Sequence, residues 1–154
     1  MTDQLKPLTH GSFTIERTYP HAPAKVFAAH SDLAKKRRWF AEGEGFTVLE
    51  YEMDFRVGGR EWCLFRFGEG PEMYNDTRYE LIDQDRRIVF SYRMGIGDAP
   101  FSASLSSIEL TPVDGGTRLT LTEQGVYLWG EDDVRGREHG CRELLERLAA
   151  ELDL

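Results

Sequence analysis

Met53-Asp54-Phe55-Arg56-Val57-Gly58-Gly59-Arg60-Glu61-Trp62 is an apolar run, an Arg-x-Gly-Gly turn and at once a second apolar run. Paired glycines allow positive φ in a tight reversal, so the flanking residues 46–55 and 60–67 read as adjacent antiparallel strands. Working outward, a period of two continues through residues 73–82, 87–94, 101–110 and 117–123. Turn chemistry separates these strands: Gly68-Glu69-Gly70-Pro71, Asp83-Gln84-Asp85, Gly95-Ile96-Gly97 and Pro112-Val113-Asp114-Gly115-Gly116. Successive strands with short turns make an antiparallel meander.

Upstream, residues 12–19 alternate as a strand with Phe13 and Ile15 on one face, and Pro20 stops it. Pro23 suits the first turn of a helix, in which Val26, Phe27 and His30 recur at helical spacing. Ser31 is positioned to cap a second short helix running toward Trp39 and Phe40. Residues 1–11 are polar and read as a flexible segment. Downstream, Glu131, Asp132 and Asp133 precede a helix of about five turns, placing negative charge where its dipole favours it. Val134, Cys141, Leu144, Leu145, Leu148 and Leu152 form its apolar stripe, with Arg and Glu assigned to the other side. The expectation is one α+β domain over residues 12–154, a half-buried sheet with this helix across it. A gap between the two is where such proteins hold small ligands.

Composition narrows the function classes. A formal charge of −8 repels phosphate backbones, and Lys35-Lys36-Arg37-Arg38, the only basic run, reads as a solvated helix face. No nucleic-acid partner is expected. The apolar runs are far too short for a membrane span, and the N-terminus lacks the form of a signal peptide, so a cytoplasmic protein is expected. His10, His21, His30 and His139 show no metal-type spacing with each other or with Cys63 and Cys141. Neither a metal nor another cofactor is predicted.

The ordered motifs resemble the START-like helix-grip superfamily (SRPBCC). Within it the chain is most similar to the activator of heat-shock-protein-90 ATPase homologue family. The resemblance rests on Tyr19-Pro20 through Ala22-Pro23-Ala24-Lys25-Val26-Phe27, Trp39, and Phe55-Arg56-Val57-Gly58-Gly59. It continues through Arg87-Ile88-Val89-Phe90-Ser91, Ile108-Glu109-Leu110, Gly116-Thr117-Arg118-Leu119-Thr120-Leu121-Thr122, Gly140-Cys141 and Leu144 with Leu148. It implies a curved antiparallel sheet around a long C-terminal helix, with two short helices after the first strand. Relatives bind lipids, hormones or polyketides, and a few catalyse cyclisation or dehydration. The co-chaperone that names the family also uses a separate N-terminal domain, for which this chain has no room. The family usually has Gly-Trp where this chain has Gly140-Cys141. The smaller side chain either enlarges the space beneath the helix or is offset by nearby aromatics.

The expected ligand is a hydrophobic or aromatic small molecule. Its candidate site comprises Phe65, Phe67, Phe90, Tyr92, Ser104, Ser106, Leu121, Glu123, Tyr127, Trp129 and Cys141. The aromatics serve as core or as cavity wall. Ser102, Ser104 and Ser106 share a face, which is either the inner wall or an exposed edge strand. Glu123 is in line with Leu119 and Leu121; it either ends the strand in water or enters the cavity as a hydrogen-bond acceptor or acid–base group. Tyr127 and Trp129 are placed in a loop over the pocket, where a lid would be. Cys141 reads as inert packing. Two other functions stay open: a polyketide cyclase-like enzyme using Glu123 with Tyr92, and a protein-interaction module of co-chaperone type. Edge strands offer a route to a homodimer.

Overall fold

The computed structural model describes residues 7–129 and 132–154. Seven strands form one antiparallel sheet in the order β1-β7-β6-β5-β4-β3-β2. They are β1 (Thr9–Tyr19), β2 (Phe46–Met53), β3 (Arg60–Phe67), β4 (Glu72–Asp83), β5 (Arg87–Ile96), β6 (Ala99–Val113) and β7 (Gly116–Tyr127). Only β1 lies apart from the strand that follows it in the chain: it pairs with β7, the last strand, and a long connection crosses to β2 at the opposite edge. That connection holds α1 (Pro23–Ser31) and α2 (Leu33–Lys36), which runs into a π-helical turn at Arg37–Ala41. The final helix is α3 (Val134–Leu152). This is the helix-grip architecture. None of these helices is long and apolar enough to cross a membrane.

The paired glycines have separate duties. Gly58 takes φ 81°, the left-handed region. At Gly59 a Cβ would lie 2.0 Å from the Asp54 carbonyl oxygen, so only a bare Cα fits. The reversal is wider than a tight turn: β2 ends at Met53, and Phe55 turns inward to pack edge-on against Phe27 and Tyr79. Register shifts that leave one extra residue in β2, β4 and β6 bend the sheet, as inserted residues do.

Both ends of the meander differ from the sequence reading. Thr9, His10 and Gly11 pair with Tyr127, Val126 and Gly125, so β1 begins inside the stretch read as flexible. Residues 1–6 of that stretch lie outside the described residues, as does Glu131. β7 runs four residues beyond Glu123, because Gly125 interrupts the apolar alternation without interrupting the pairing. The second helix is capped by Asp32 rather than Ser31: the Asp32 carboxylate accepts from the Lys35 backbone N–H at 3.1 Å. The π turn then carries Trp39 inward, where its Nε1 donates to the Ala29 carbonyl at 2.8 Å.

The core lies between the sheet and α3. Leu148, Val26 and Leu119 are fully buried, with Ile15, Ile88, Leu145 and Leu152 around them. Each such side chain contributes about 1.5–3 kcal/mol by leaving water. Tyr19 donates to the Leu145 carbonyl at 2.9 Å, tying β1 to the middle of α3. Asp133 caps α3 through the Gly136 N–H at 2.8 Å. The inner face of α3 is less apolar than its stripe implied: Arg137 and Glu151 are buried on it. Arg38 closes on Glu151 with two hydrogen bonds, of 3.0 and 2.8 Å.

Candidate functional site

A cavity of about 330 Å³ separates part of the sheet from α3. Period-two alternation brings Phe65, Met73, Phe90, Met94, Ile108 and Leu121 to it from five strands. Trp39 and Phe40 close it from the π turn, and Cys141, Leu144 and Leu145 from α3. Of the sequence-predicted residues, Phe65, Phe90, Tyr92, Leu121, Glu123 and Cys141 line this space.

Ser104 and Ser106 stand behind the wall and hold polar groups that do line it. Neither is an edge residue, since β6 is paired on both sides. Three candidates fall elsewhere. Phe67 is 56% exposed at the end of β3, its ring tilted against that of Phe46. Tyr127 is not in a loop: it ends β7 and is 2% exposed. Trp129 is 40% exposed and donates to the Pro100 carbonyl at 2.9 Å, beside Phe101. The lid expected from these two side chains is therefore the continuation of β7 and a surface contact beyond it.

Glu123 does not reach water; it is 2% exposed. Ser106 donates to its Oε1, and Tyr92 donates to its Oε2 at 2.8 Å. Arg137 donates to the Tyr92 hydroxyl at 2.7 Å and to Ser102 at 2.8 Å, and pairs with Asp132. Its Nη1 is 3.8 Å from Glu123 Oε2, so the tyrosine hydroxyl relays most of the contact. Burial pushes the Glu123 carboxyl above its ordinary range, against the pull of Ser106, Tyr92 and Arg137. Burial likewise pushes the Cys141 thiol up to about 12, which leaves it protonated and unreactive at neutral pH.

A second polar cluster sits near the π turn. Glu61 is 3% exposed and accepts from Lys36 Nζ at 3.1 Å, from Tyr51 at 2.6 Å and from Tyr79. Lys36 also lies 4.7 Å from the centre of the Phe40 ring. The basic run is a solvated face except at Lys36, which is buried on Glu61, while Arg37 and Arg38 keep solvent contact as they pair with Glu42 and Glu151. Beside it His30, 2% exposed, donates from Nδ1 to the Val26 carbonyl at 2.9 Å. A carbonyl only accepts, so Nδ1 carries the proton and Nε2 is left as an acceptor. That Nε2 is buried with no protein partner, on a residue lining the cavity. Burial and the Lys36 charge depress the His30 pKa to about 4.

The reading from sequence missed Arg137, Lys36, Glu61 and His30 as site residues. Arg137 had a signal, since it stands four residues before Cys141 on the inner stripe. Glu61 had one too, alternating with Cys63 and Phe65. Among the described residues, no group of three or more His, Cys, Asp or Glu side chains is placed to hold a metal ion.

Comparison with known proteins places this geometry in a family. No curated protein matches the sequence. Among solved structures, a protein of Rhizobium loti is 53% identical, with a TM-score of 0.86 over 95% of this chain and 99% of that one. An uncharacterized protein of Rhizobium leguminosarum is 34% identical, with a TM-score of 0.90 over 96% and 97%. A Chromobacterium violaceum protein is 25% identical, with a TM-score of 0.78 over 93% and 97%. The sequence matches the family described as "Activator of Hsp90 ATPase homolog 1-like protein" over residues 20–153. With that match spanning most of its length, the chain belongs to the Activator of Hsp90 ATPase homolog 1-like family.

Proposed function

We propose that this protein binds a small, largely apolar molecule between the sheet and α3. The observation that carries the reading is the cavity of about 330 Å³, whose surface is mainly apolar, with Phe, Met, Leu and Trp side chains interspersed with polar and charged ones. That combination is the usual chemistry of a small-ligand pocket. Glu123 with Tyr92, and His30 Nε2, supply polar points that orient a ligand within it. Exposed large apolar side chains among the described residues are Leu8, Leu33, Leu49, Val57, Phe67, Leu105, Trp129 and Leu154, each from a different segment of the chain. Singly exposed residues of this kind are ordinary on a protein surface, which weighs against the interaction-module reading.

The enzyme reading keeps one supporting feature, the raised carboxyl of Glu123 in the cavity wall. Both its oxygens are already held by hydroxyl donors, a geometry that fits a positioning group better than a proton shuttle. The test is a thermal-shift screen with fatty acids, sterols, flavonoids and aromatic polyketides. A ligand at a hundred times its dissociation constant adds about 2.7 kcal/mol and raises the midpoint by roughly 5–10 °C. No shift across the panel would contradict the proposal.

A further inference from the structure

The charged groups around the cavity are matched, with one exception. Lys36 is paired with Glu61, and Arg137 with Asp132 through a short contact and with Glu123 through Tyr92. Arg147 also lines the cavity, and among the described residues it makes no ion pair and no side-chain hydrogen bond. Its Nη2 is buried without a partner. Burial lowers its pKa, and the one neighbouring acid that counters this, Glu143, is exposed and engaged with His139 at 3.0 Å. A guanidinium N–H out of water and unpaired is a costly arrangement, seldom kept without a use.

Local structure holds the side chain there. The guanidinium lies 5.6 Å from the centre of the Phe46 ring. On its other flank a Cβ at Gly43 would fall 2.6 Å from Arg147 Cζ, so the glycine leaves the room in which the guanidinium sits. Phe46, Gly140 and Arg147 are half-buried and Glu143 is exposed, while the opposite wall at Cys63, Tyr92 and Leu121 is buried. The cavity therefore has exposed lining alongside Arg147, where α3 faces the start of β2, as well as at Gly136 near the start of α3.

From this we infer that the ligand is an anionic amphiphile, an apolar carboxylic acid whose body fills the cavity and whose carboxylate seats on Arg147 at its opening. A guanidinium offers two parallel N–H donors that match a carboxylate, and partial burial strengthens the pair. A neutral alcohol of the same shape accepts a single N–H there without the charge pairing, and a cationic ammonium offers no acceptor at all. The inference rests on the ligand-binding reading above and names the class of ligand for that same cavity.

The test uses matched pairs on two skeletons: dodecanoate with dodecan-1-ol, and 2-naphthoate with 2-naphthol. Each is titrated by calorimetry into the full chain, with dodecylamine as the cationic control. The acid of at least one pair is expected to bind tenfold or more tightly than its alcohol, with the amine weakest. Arg147→Gln should bring acid and alcohol within threefold, chiefly by weakening the acid. Arg147→Lys should keep part of the preference, and Gly43→Ala, which displaces the guanidinium, should reduce it. Equal binding of acid and alcohol in the parent chain would overturn the inference but leave the cavity reading standing. So would a preference that survives Arg147→Gln. Binding of no member of either pair would overturn both.

Discussion

Two buried glutamates, Glu61 on β3 and Glu123 on β7, have surroundings that teach different things. Glu61 makes a direct ion pair with Lys36, takes two tyrosine hydroxyls, and does not line the cavity. Glu123 has its arginine held off at 3.8 Å behind the Tyr92 hydroxyl, and it forms part of the cavity wall. The first joins α2 to β3 and fixes the short helices on the sheet. The second presents a carboxyl, a phenol and a guanidinium to an apolar space. A buried charge with a saturated, direct partner is structural, whereas a carboxyl raised by burial at a cavity wall is available for recognition.

The largest predicted effect breaks the structural side of this pair. Glu61→Ala strands Lys36 in the interior with Tyr51 and Tyr79 unpaired, a loss of about 3–5 kcal/mol. In a domain this size that lowers the thermal midpoint by roughly 10 °C or more. A fall of only a degree or two would show that Lys36 swings out to water and that the cluster does not anchor α2.

The next effect is a pH dependence. Folding depresses the His30 pKa to about 4, below its ordinary value of about 6.5. Between those values the unfolded chain holds the proton and the native one does not, so stability falls as pH falls through the window. The contribution is on the order of 3 kcal/mol between neutral pH and pH 4. Glu123 acts with the opposite sign, since a raised carboxyl pKa favours the native state in acid. His30→Asn, whose amide nitrogen can replace Nδ1 toward Val26, isolates the histidine. Urea unfolding from pH 7 to 4.5 should show a steeper loss in the parent than in the variant, and equal slopes would refute the assignment.

Removing the cation on the cavity side costs less. In Arg137→Met the Asp132 carboxylate is left near solvent, and Glu123 keeps its hydroxyl donors Ser106 and Tyr92, so a loss of about 1–3 kcal/mol is expected. A loss equal to that of Glu61→Ala would erase the distinction between the two clusters. The smallest effect belongs to Glu123→Gln, which keeps an acceptor for Tyr92 or Ser106 and should change stability by less than about 1 kcal/mol. Ligand affinity should survive it. A turnover that collapses about a hundredfold in this variant would instead make Glu123 a catalytic acid–base group.

Much of the fold was legible because alternation and turn chemistry are local. β3 matched its span at both ends, and α1 begins at Pro23 as its missing N–H allows. Where the local signal was broken, the reading stopped short. Gly125 has no side chain with which to continue the alternation, and a Cβ there would meet the Ser104 hydroxyl at 2.9 Å. Its silence hid the end of β7 and misplaced Tyr127.

The site was legible where burial and hydrophobicity agree, as at Phe65, Phe90 and Leu121, and at Glu123, which strand alternation put in line with Leu119 and Leu121. Arg137 and Lys36 are charged residues on inward-facing helical positions, and charge spoke for solvent when the helical phase spoke for the core. What settles such conflicts is a partner from far along the chain. For Arg137 these are Tyr92 and Ser102, 45 and 35 residues away. Lys36 finds Glu61 at a separation of 25.

The most direct test of ligand binding uses the methionines. Met73 and Met94 line the cavity, and Met53 packs on the core outside it. In a chain with four methionines, methyl-labelled NMR spectra during titration with the acid and polyketide panel give a probe inside and a probe outside. Ligand entry should shift the Met73 and Met94 methyl resonances in a saturable way while Met53 holds its position. Saturable shifts confined to Met53, or no shift at Met73 and Met94 with any ligand, would contradict a binding cavity between the sheet and α3.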